Sequence, residues 1–396
     1  MKISYKTGFL NQSTGSLFKN LVEDLSYEYY PTVLYTGINP GILHNSKGQH
    51  IDVNIFTPYN RKSHLLRFMS GFKYVFKTFC SIIRSKHELL FIVSNPPFIG
   101  IVGPILKLLR KQKYVILVYD IYPDILVGTG VIARYHPLVK IWRWINRIVY
   151  ENSAGVITIG DRMRNVLNGQ FDATKTVLGE IQVIHNCADE NVFKPLENLQ
   201  GRSVEHKTES DLRIVYSGNF GFTHDFDTIL DVAKSLSSRN HTFILVGDGA
   251  KKRSVDYRIE TEKISNVISR HFYSDTEFPH FISTADIALI TMSRGCDDLM
   301  LPSKIYISMA VGSALIGITH ENSEVARLIR KHKCGEVISE GDSDALLGVL
   351  ERFSSDHEYL EQCKRNSLEA FNRHYTRKKT SREYLNVLNR VIIENE

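Results

Sequence analysis

Ser303 and Lys304, in the stretch LPSKIYISMAVG from 301 to 312, place a hydroxyl and an ammonium where Pro302 opens an apolar helical run that Gly312 closes. The first-turn N–H groups of a helix lack intrahelical partners and carry partial positive charge, so the pair suits an anion, and a lysine beside it suits a phosphate in particular. Two glycine turns in the same half of the chain suggest the same chemistry. In YSGNFG (216–221), Gly218 and Gly221 let a backbone approach a ligand closely, with Asn219 between them and His224 shortly after; in VGDGAKK (246–252), Gly247 and Gly249 are followed by lysines. Each turn follows an apolar strand candidate, and the succession favours a bound nucleotide over plain turns. In the other half, Asp120 ends a strand candidate beside Tyr119 in VYDIYPD, and Asn95 is similarly placed in SNPP. A carboxylate there can orient a hydroxyl or take its proton, or it can cap a helix.

The elements that must position these residues fall into two sets. Strand candidates at 33–36, 89–94, 114–119, 155–159 and 181–185 alternate with helix-length stretches, and a second series follows at 212–217, 242–246, 286–291 and 314–318. Each set predicts a parallel sheet wrapped by helices, so the fold class is α/β, and in such sheets ligands bind at the carboxyl ends of the strands. The polar, unpatterned stretch 195–211 reads as the linker.

Length and composition agree: 396 residues, 43% hydrophobic and 23% charged, are enough for two cores. The five cysteines form no C-x-x-C pair and no Cys/His cluster at ligand spacing, so no metal is expected and a reducing compartment is. The first residues, MKISYKTGFL, lack the apolar core and cleavage site of a secretory signal. Charge is uneven. From Arg61 to Arg147, fifteen Lys and Arg stand against Glu88, Asp120 and Asp124, although the whole chain is only +6. Within that region 63–87 carries an apolar stripe at helical spacing from Leu65 to Ile83, with Arg67, Lys73, Lys77 and Arg84 interleaved. That pattern fits a core-facing helix with a solvated charged face, or a basic helix lying on an anionic membrane surface; a nucleic-acid partner is not expected. Trp142 and Trp144 among arginines add to the membrane reading. The uncharged stretch 89–106 is interrupted by Pro96-Pro97 and Gly103-Pro104, and reads as a buried strand–turn–helix rather than a membrane span.

The ordered series VIHNCADENVFKP, IVYSGNFGFTHDFDTILDVAKSL, FILVGDG, FISTADIALI, LPSKIYISMAVG and ENSEVARLIRKHKCG, with VSNPP and VYDIYPDILVGTGVI before it, resembles glycosyltransferase family 4, in its branch that assembles bacterial O-antigen, capsule and colanic-acid-type polysaccharides. The resemblance implies the GT-B fold: two Rossmann-like domains facing across a cleft, an acceptor domain at 1–195 and a nucleotide-sugar domain at 205–379, with a C-terminal helix in 380–396 packing back on the first. It implies transfer from a nucleotide diphosphate sugar, with retention and without a metal cofactor, to a polyprenyl-diphosphate-linked saccharide at the cytoplasmic face of the membrane. Carried over by position, Gly218, Asn219, Gly221 and His224 are expected near the diphosphate or sugar and Gly247 and Gly249 near the nucleotide. Pro302, Ser303 and Lys304 are expected at the phosphates, with Lys304 neutralising charge, and Ser323 and Glu324 are further donor-side candidates. Asp120 is the expected acceptor-side catalytic group, with Asn95 and Tyr119 beside it; Tyr119 stands where the family commonly has histidine. The family's usual pair of glutamates falls here on Leu299 and Ile307, and Asp297 and Asp298 are candidates to replace the first. That departure keeps two other readings open: a catalytically silent nucleotide-sugar-binding scaffold, and a sugar 2-epimerase of the same fold.

Overall fold

A computed structural model describes residues 5–59, 64–196, 212–237, 241–293 and 295–393. The chain divides into two compact units, one formed by 1–186 with 377–396 and the other by 187–376. The change of unit comes at Cys187, ahead of the polar stretch 195–211, most of which lies outside the described residues.

The first unit holds strands β1 (Thr7–Asn11), β2 (Thr32–Thr36), β3 (Asp52–Ile55), β4 (Leu89–Val93), β5 (Lys113–Val118), β6 (Gly155–Thr158) and β7 (Ile181–Val183). Its helices are α1 (Ser16–Leu25), α2 (His64–Arg84), α3 (Val102–Arg110), α4 (Asp124–Gly128), α5 (Pro137–Glu151) and α6 (Asp161–Asn168). All strand pairs are parallel, in the order β3-β2-β1-β4-β5-β6-β7. Strands such as LLFIV in β4 are buried along their whole length, as a sheet covered on both faces requires. The uncharged 89–106 stretch is indeed β4, a turn and the start of α3, whose Gly103 packs so closely on Tyr114 that a Cβ would lie 2.5 Å from the ring. Central β1, with the mixed sequence TGFLN, was absent from the strand candidates because a five-residue run containing Thr, Gly and Asn has no apolar period to detect.

The second unit holds β8 (Leu212–Ser217), β9 (His241–Val246), β10 (Val267–Arg270), β11 (Ile287–Thr291), β12 (Ala314–Ile318) and β13 (Gly335–Ile338), again parallel, in the order β10-β9-β8-β11-β12-β13. Its helices are α7 (Asp227–Ser235), α8 (Lys252–Thr261), α9 (Phe278–Ser283), α10 (Lys304–Ala310), α11 (Glu324–His332), α12 (Ser343–Ser355) and α13 (His357–His374). Tyr216, Phe220 and Phe226 nucleate one face of its core; the rings of Phe220 and Phe226 stack at 4.5 Å.

The last helix, α14 (Arg377–Ile393), belongs to the first unit. It lies against α1, where the Arg377 guanidinium donates to both oxygens of Asp24 (2.7 and 2.8 Å) and the Ser381 hydroxyl adds a third bond at 2.6 Å. Tyr384 meets the core ring of Phe91 edge-on at 6.0 Å, and Leu388 is fully buried. Apolar burial holds α14 in place and the partly buried ion pair sets its register.

Replacing Arg377 by Ala removes two charge-assisted bonds from Asp24, each worth roughly 1.5–3 kcal/mol when shielded and less at this partial exposure. Amide exchange in 380–393 should therefore accelerate at least about tenfold while β4 and β5 amides keep their protection, measured by native-state hydrogen exchange.

Candidate active site

In both sheets the strand order reverses once, between β1 and β4 in the first and between β8 and β11 in the second. Helices leave in opposite directions at such a switch point and open a crevice at the carboxyl ends of the strands. The residues singled out by type fall largely at these two points.

In the second unit the turn after β8 carries Gly218, at φ +151, and the turn after β9 carries Gly247, at φ +145. The Gly218 N–H donates to the Val246 carbonyl (2.9 Å) and Phe220 N–H to the Asp248 carbonyl (2.8 Å), tying the two turns together. A Cβ on Gly247 would sit 1.8 Å from the Gly218 carbonyl oxygen, so glycine is the residue this contact admits. Gly249 and Gly221 both pack against the Asn219 amide, where a Cβ would come within 2.7 and 2.6 Å. Asn219 in turn is held through its carbonyl, which accepts from the Tyr216 hydroxyl at 2.7 Å.

Lys304 opens α10 on the far side of the switch point. The stem is partly exposed, but Nζ is buried beneath Gly218, 3.2 Å from where a Cβ would be, and 3.7 Å from the centre of the Tyr216 ring. It has no hydrogen-bond partner. Burial drives the Lys304 ammonium well below its ordinary pKa, because a desolvated cation with only a ring face beside it is costly. A small cavity of about 10 Å³ beside it, walled by Val215, Leu289 and Ile307, has room for at most one water. The arrangement places an unpartnered lysine Nζ directly beneath the glycine turn.

The other donor-side candidates take more ordinary roles. His224 is buried, its Nδ1 2.7 Å from the Thr291 carbonyl and its ring edge-on to Tyr216. Burial first, then the nearby Lys304 and Lys251 charges, lower its pKa to about 3, so the ring is neutral and brings no charge to a phosphate. Ser323 is the N-cap of α11, accepting from the Ala326 N–H at 3.0 Å, and Glu324, buried, accepts from Arg327 at 2.7 Å. Ser303 is exposed and Pro302 half-buried, and Ser303 makes no side-chain cap bond to α10. Ile307 packs into the second apolar cluster of the unit, and Leu299 is half-buried. Asp297 has one carboxylate oxygen buried without a partner, and burial raises its pKa to about 6.

Three residues not singled out by number in the sequence complete the turns. Tyr216 supplies the ring under Lys304 and Lys251 donates to the His224 carbonyl at 2.6 Å. Asp225 accepts from the N–H groups of Asp227, Thr228 and Gly341, fastening the start of α7. Tyr216 and Lys251 lay inside the quoted motifs but were masked by the glycines around them.

In the first unit, Asn95 follows β4 and Asp120 follows the adjacent β5. The Asn95 carbonyl accepts from Gln12 N–H at 3.0 Å, which brings the end of β1 to the same point, and Tyr119 N–H donates to Ser94 Oγ at 3.1 Å. Burial raises the Asp120 carboxyl to about 6, a value suited to exchanging a proton near neutrality.

The model of the family described as glycosyl transferases group 1 matches residues 200–370. The second unit is a group 1 glycosyltransferase domain. The chain is thus a glycosyltransferase, and its curated relatives carry matching names. It is 21% identical over 360 residues to the glycosyltransferase WbjE of Pseudomonas aeruginosa, covering 88% of each chain. It is 24% identical over 236 residues to a protein of Escherichia coli K12 named for colanic acid biosynthesis, the glycosyl transferase WcaI, covering 57% of this chain and 56% of that one. Among solved structures, Anabaena HepE in complex with UDP-glucose superposes with a TM-score of 0.70 at 15% identity, covering 97% of this chain and 99% of that one. That likeness bears on the fold, which is two Rossmann-like α/β domains of GT-B type.

Gly247→Ala should disrupt the paired turns, costing more than about 1 kcal/mol and abolishing binding of nucleoside diphosphates. Gly348→Ala, inside α12 with open space around its Cα, should do the opposite and stabilise by about 0.5–1 kcal/mol. Thermal unfolding of the two variants, read against the parent, checks the pair of signs.

Proposed function

We propose that this glycosyltransferase moves a sugar from a nucleoside diphosphate sugar, with retention at the anomeric carbon, to a polyprenyl-diphosphate-linked saccharide during assembly of a bacterial surface polysaccharide. The observation that carries the donor half is the unpartnered Lys304 ammonium beneath Gly218. As the bond from C1 to the diphosphate breaks, its electron pair stays on the phosphate oxygen, and the growing charge is offset by a cation that needs no reorganisation. Binding of the diphosphate favours the protonated form of Lys304 before the bond breaks, countering the lowering of its pKa by burial. The neutral His224 and the Tyr216 ring keep the surroundings dry, which strengthens that interaction. Charge neutralisation by lysine leaves no task for a divalent ion, and we expect activity in EDTA. The UDP-glucose bound to HepE and the colanic acid named for WcaI support the classes of donor and product.

On the acceptor side, Asp120 orients the incoming hydroxyl and takes its proton. With its pKa near 6, the carboxylate is protonated at lower pH and unable to act, so the rate rises with pH through about 6.

The lipid part of the acceptor is supported by α2. The helix buries Ser70, Tyr74, Thr78 and Ile82 and turns Phe68, Phe72 and Phe76, each about 60% exposed, to the outside together with Lys73, Lys77 and Arg84. This inverts the usual arrangement, in which such phenylalanines face the core. Arg67 departs from the expected membrane-facing set, being half-buried with its guanidinium over the Tyr59 ring at 5.5 Å. The side chain of Leu65 lies outside the described residues. On α3, which packs on α2, and on α5, which packs on α3, Leu108, Leu109, Ile141 and Trp144 are exposed as well, whereas Trp142 stacks on Tyr122 at 6.1 Å. No helix among the described residues is long and apolar enough to cross a membrane. We infer peripheral attachment to the cytoplasmic face.

Three measurements test these readings. Lys304→Ala should lower kcat by about 10²–10³, the loss typical of one transition-state donor, and Asp120→Asn should remove the rising limb of the pH–rate profile near pH 6; full kcat in a folded Lys304→Ala enzyme would overturn the donor assignment. Changing Lys73, Lys77 and Arg84 to Glu should weaken binding to anionic vesicles by more than about 100-fold, at about 1 kcal/mol per basic residue lost. Sedimentation with vesicles at low and high salt reads that loss, while nucleotide binding should be retained.

A further inference from the structure

Arg67 stands apart from exposed Lys73, Lys77 and Arg84 on α2, and peripheral attachment leaves it without a task. We propose, resting on the lipid-linked acceptor above, that Arg67 binds the diphosphate of the polyprenyl carrier and that the isoprenoid tail leaves over Phe68 toward Phe72 and Phe76.

The start of α2 is seated on the ligand-binding end of the first sheet. Gln12, which follows β1, donates through Nε2 to the Ser70 carbonyl (3.3 Å) and to the carbonyl of Thr57 beyond β3 (3.0 Å). Gly71 lies on the turn after β4, where a Cβ would come 3.1 Å from the Phe98 ring and 3.2 Å from Pro96. Residues four apart share a helix face, so Arg67 is on the face of Gly71, one turn nearer the helix start. Its guanidinium lies over the ring of Tyr59, in the segment that follows β3. Arg67 therefore stands at the carboxyl edge of the sheet, the edge on which Asn95 and Asp120 lie. Among the described residues no carboxylate pairs with it, and of its nitrogens only Nε is both buried and unpartnered. A guanidinium laid on a ring keeps its Nη edge for a bidentate partner, and two phosphate oxygens match that fork.

Placement relative to the chemistry suits a carrier rather than a second nucleotide. Asp120 follows β5, two strands along from β1, or about 10 Å at the ordinary strand spacing. A diphosphate held at the start of α2 thus leaves the length of a saccharide between Arg67 and the carboxylate. On the other side the apolar path is continuous: Phe68 meets Phe98 with ring centres 5.5 Å apart, and Phe72 and Phe76 follow along α2 in solvent. Lys73 and Lys77, each next in sequence to one of these phenylalanines, keep the path positive. A free nucleotide has no use for such a path, whereas a polyprenyl diphosphate engages the cation and the phenylalanines together.

The test uses two photoreactive probes on the full-length protein: a farnesyl diphosphate analogue and the corresponding farnesol analogue, each with a benzophenone at the distal end of the chain. Peptides covering α2 are read by mass spectrometry. Labelling there should be at least about tenfold stronger with the diphosphate than with the alcohol, the gain expected of one charge-assisted bidentate pair. It should fall at least about tenfold in Arg67→Gln and be partly kept in Arg67→Lys, which retains the charge without the fork. Thermal unfolding establishes that the variants are folded; if Arg67→Gln is not, the comparison of the two probes in the parent protein decides alone. Equal labelling by both probes in the parent overturns the role of Arg67 and leaves α2 as a lipid-binding face. A preference for the diphosphate that survives in folded Arg67→Gln also overturns that role, while the lipid-linked acceptor stands. Labelling of α2 by neither probe overturns the lipid-linked acceptor and the role of Arg67 with it.

Discussion

A desolvated ammonium with no counter-ion is the constraint around which the second domain is arranged. Lys304 Nζ is tolerated because the Tyr216 ring gives it a partial substitute for water and because Gly218 keeps the space above it clear. Both neighbours depend on further structure. Tyr216 is held by its bond to the Asn219 carbonyl, and Gly218 keeps its conformation because Gly247 has no Cβ to collide with it. The cost of holding the cation dry is met by the stability of the parallel sheet beneath, whose strands are buried on both faces. In the proposed reaction an anion over this site would be held more strongly as its charge grows, as departure of a diphosphate requires.

The first domain shows a different compromise. Its sheet follows the same topological rule and places Asn95 and Asp120 on adjacent strand ends, but α2 buries Ser70, Tyr74, Thr78 and Ile82 and leaves phenylalanines in solvent. An apolar face of this kind exposed to water is unfavourable, and basic residues lie around it, the pattern on which the proposed membrane attachment rests. The Asp24–Arg377 pair serves a structural end in the same domain, fixing α14 on α1 so that the last helix completes the unit in which the chain begins.

How much of this was legible beforehand differs by type of residue. Long apolar runs such as YVILVY and TFILV announced β5 and β9 because parallel strands are buried on both faces and need unbroken hydrophobicity. Short mixed strands were silent: β1 is central, yet its TGFLN pattern is shared with many loops. The glycine turns were legible because only glycine relieves a backbone contact of the Gly247 kind. The α2 stripe was legible as amphipathic, but its facing direction was not, since period alone does not say which side of the helix is buried.

The sequence by itself determined the α/β class, the positions of the two phosphate-friendly turns and the lysine that follows Pro302, because strand burial, backbone clearance and charge are local properties of residue type. Only the tertiary structure decided that Lys304 points inward beneath Gly218, that His224 and Ser323 are packing and capping residues, and that Arg67 lies over Tyr59. Those outcomes depend on which elements become neighbours across the sheet, and the free energy of burying a charge or leaving a donor unpaired is set by those neighbours.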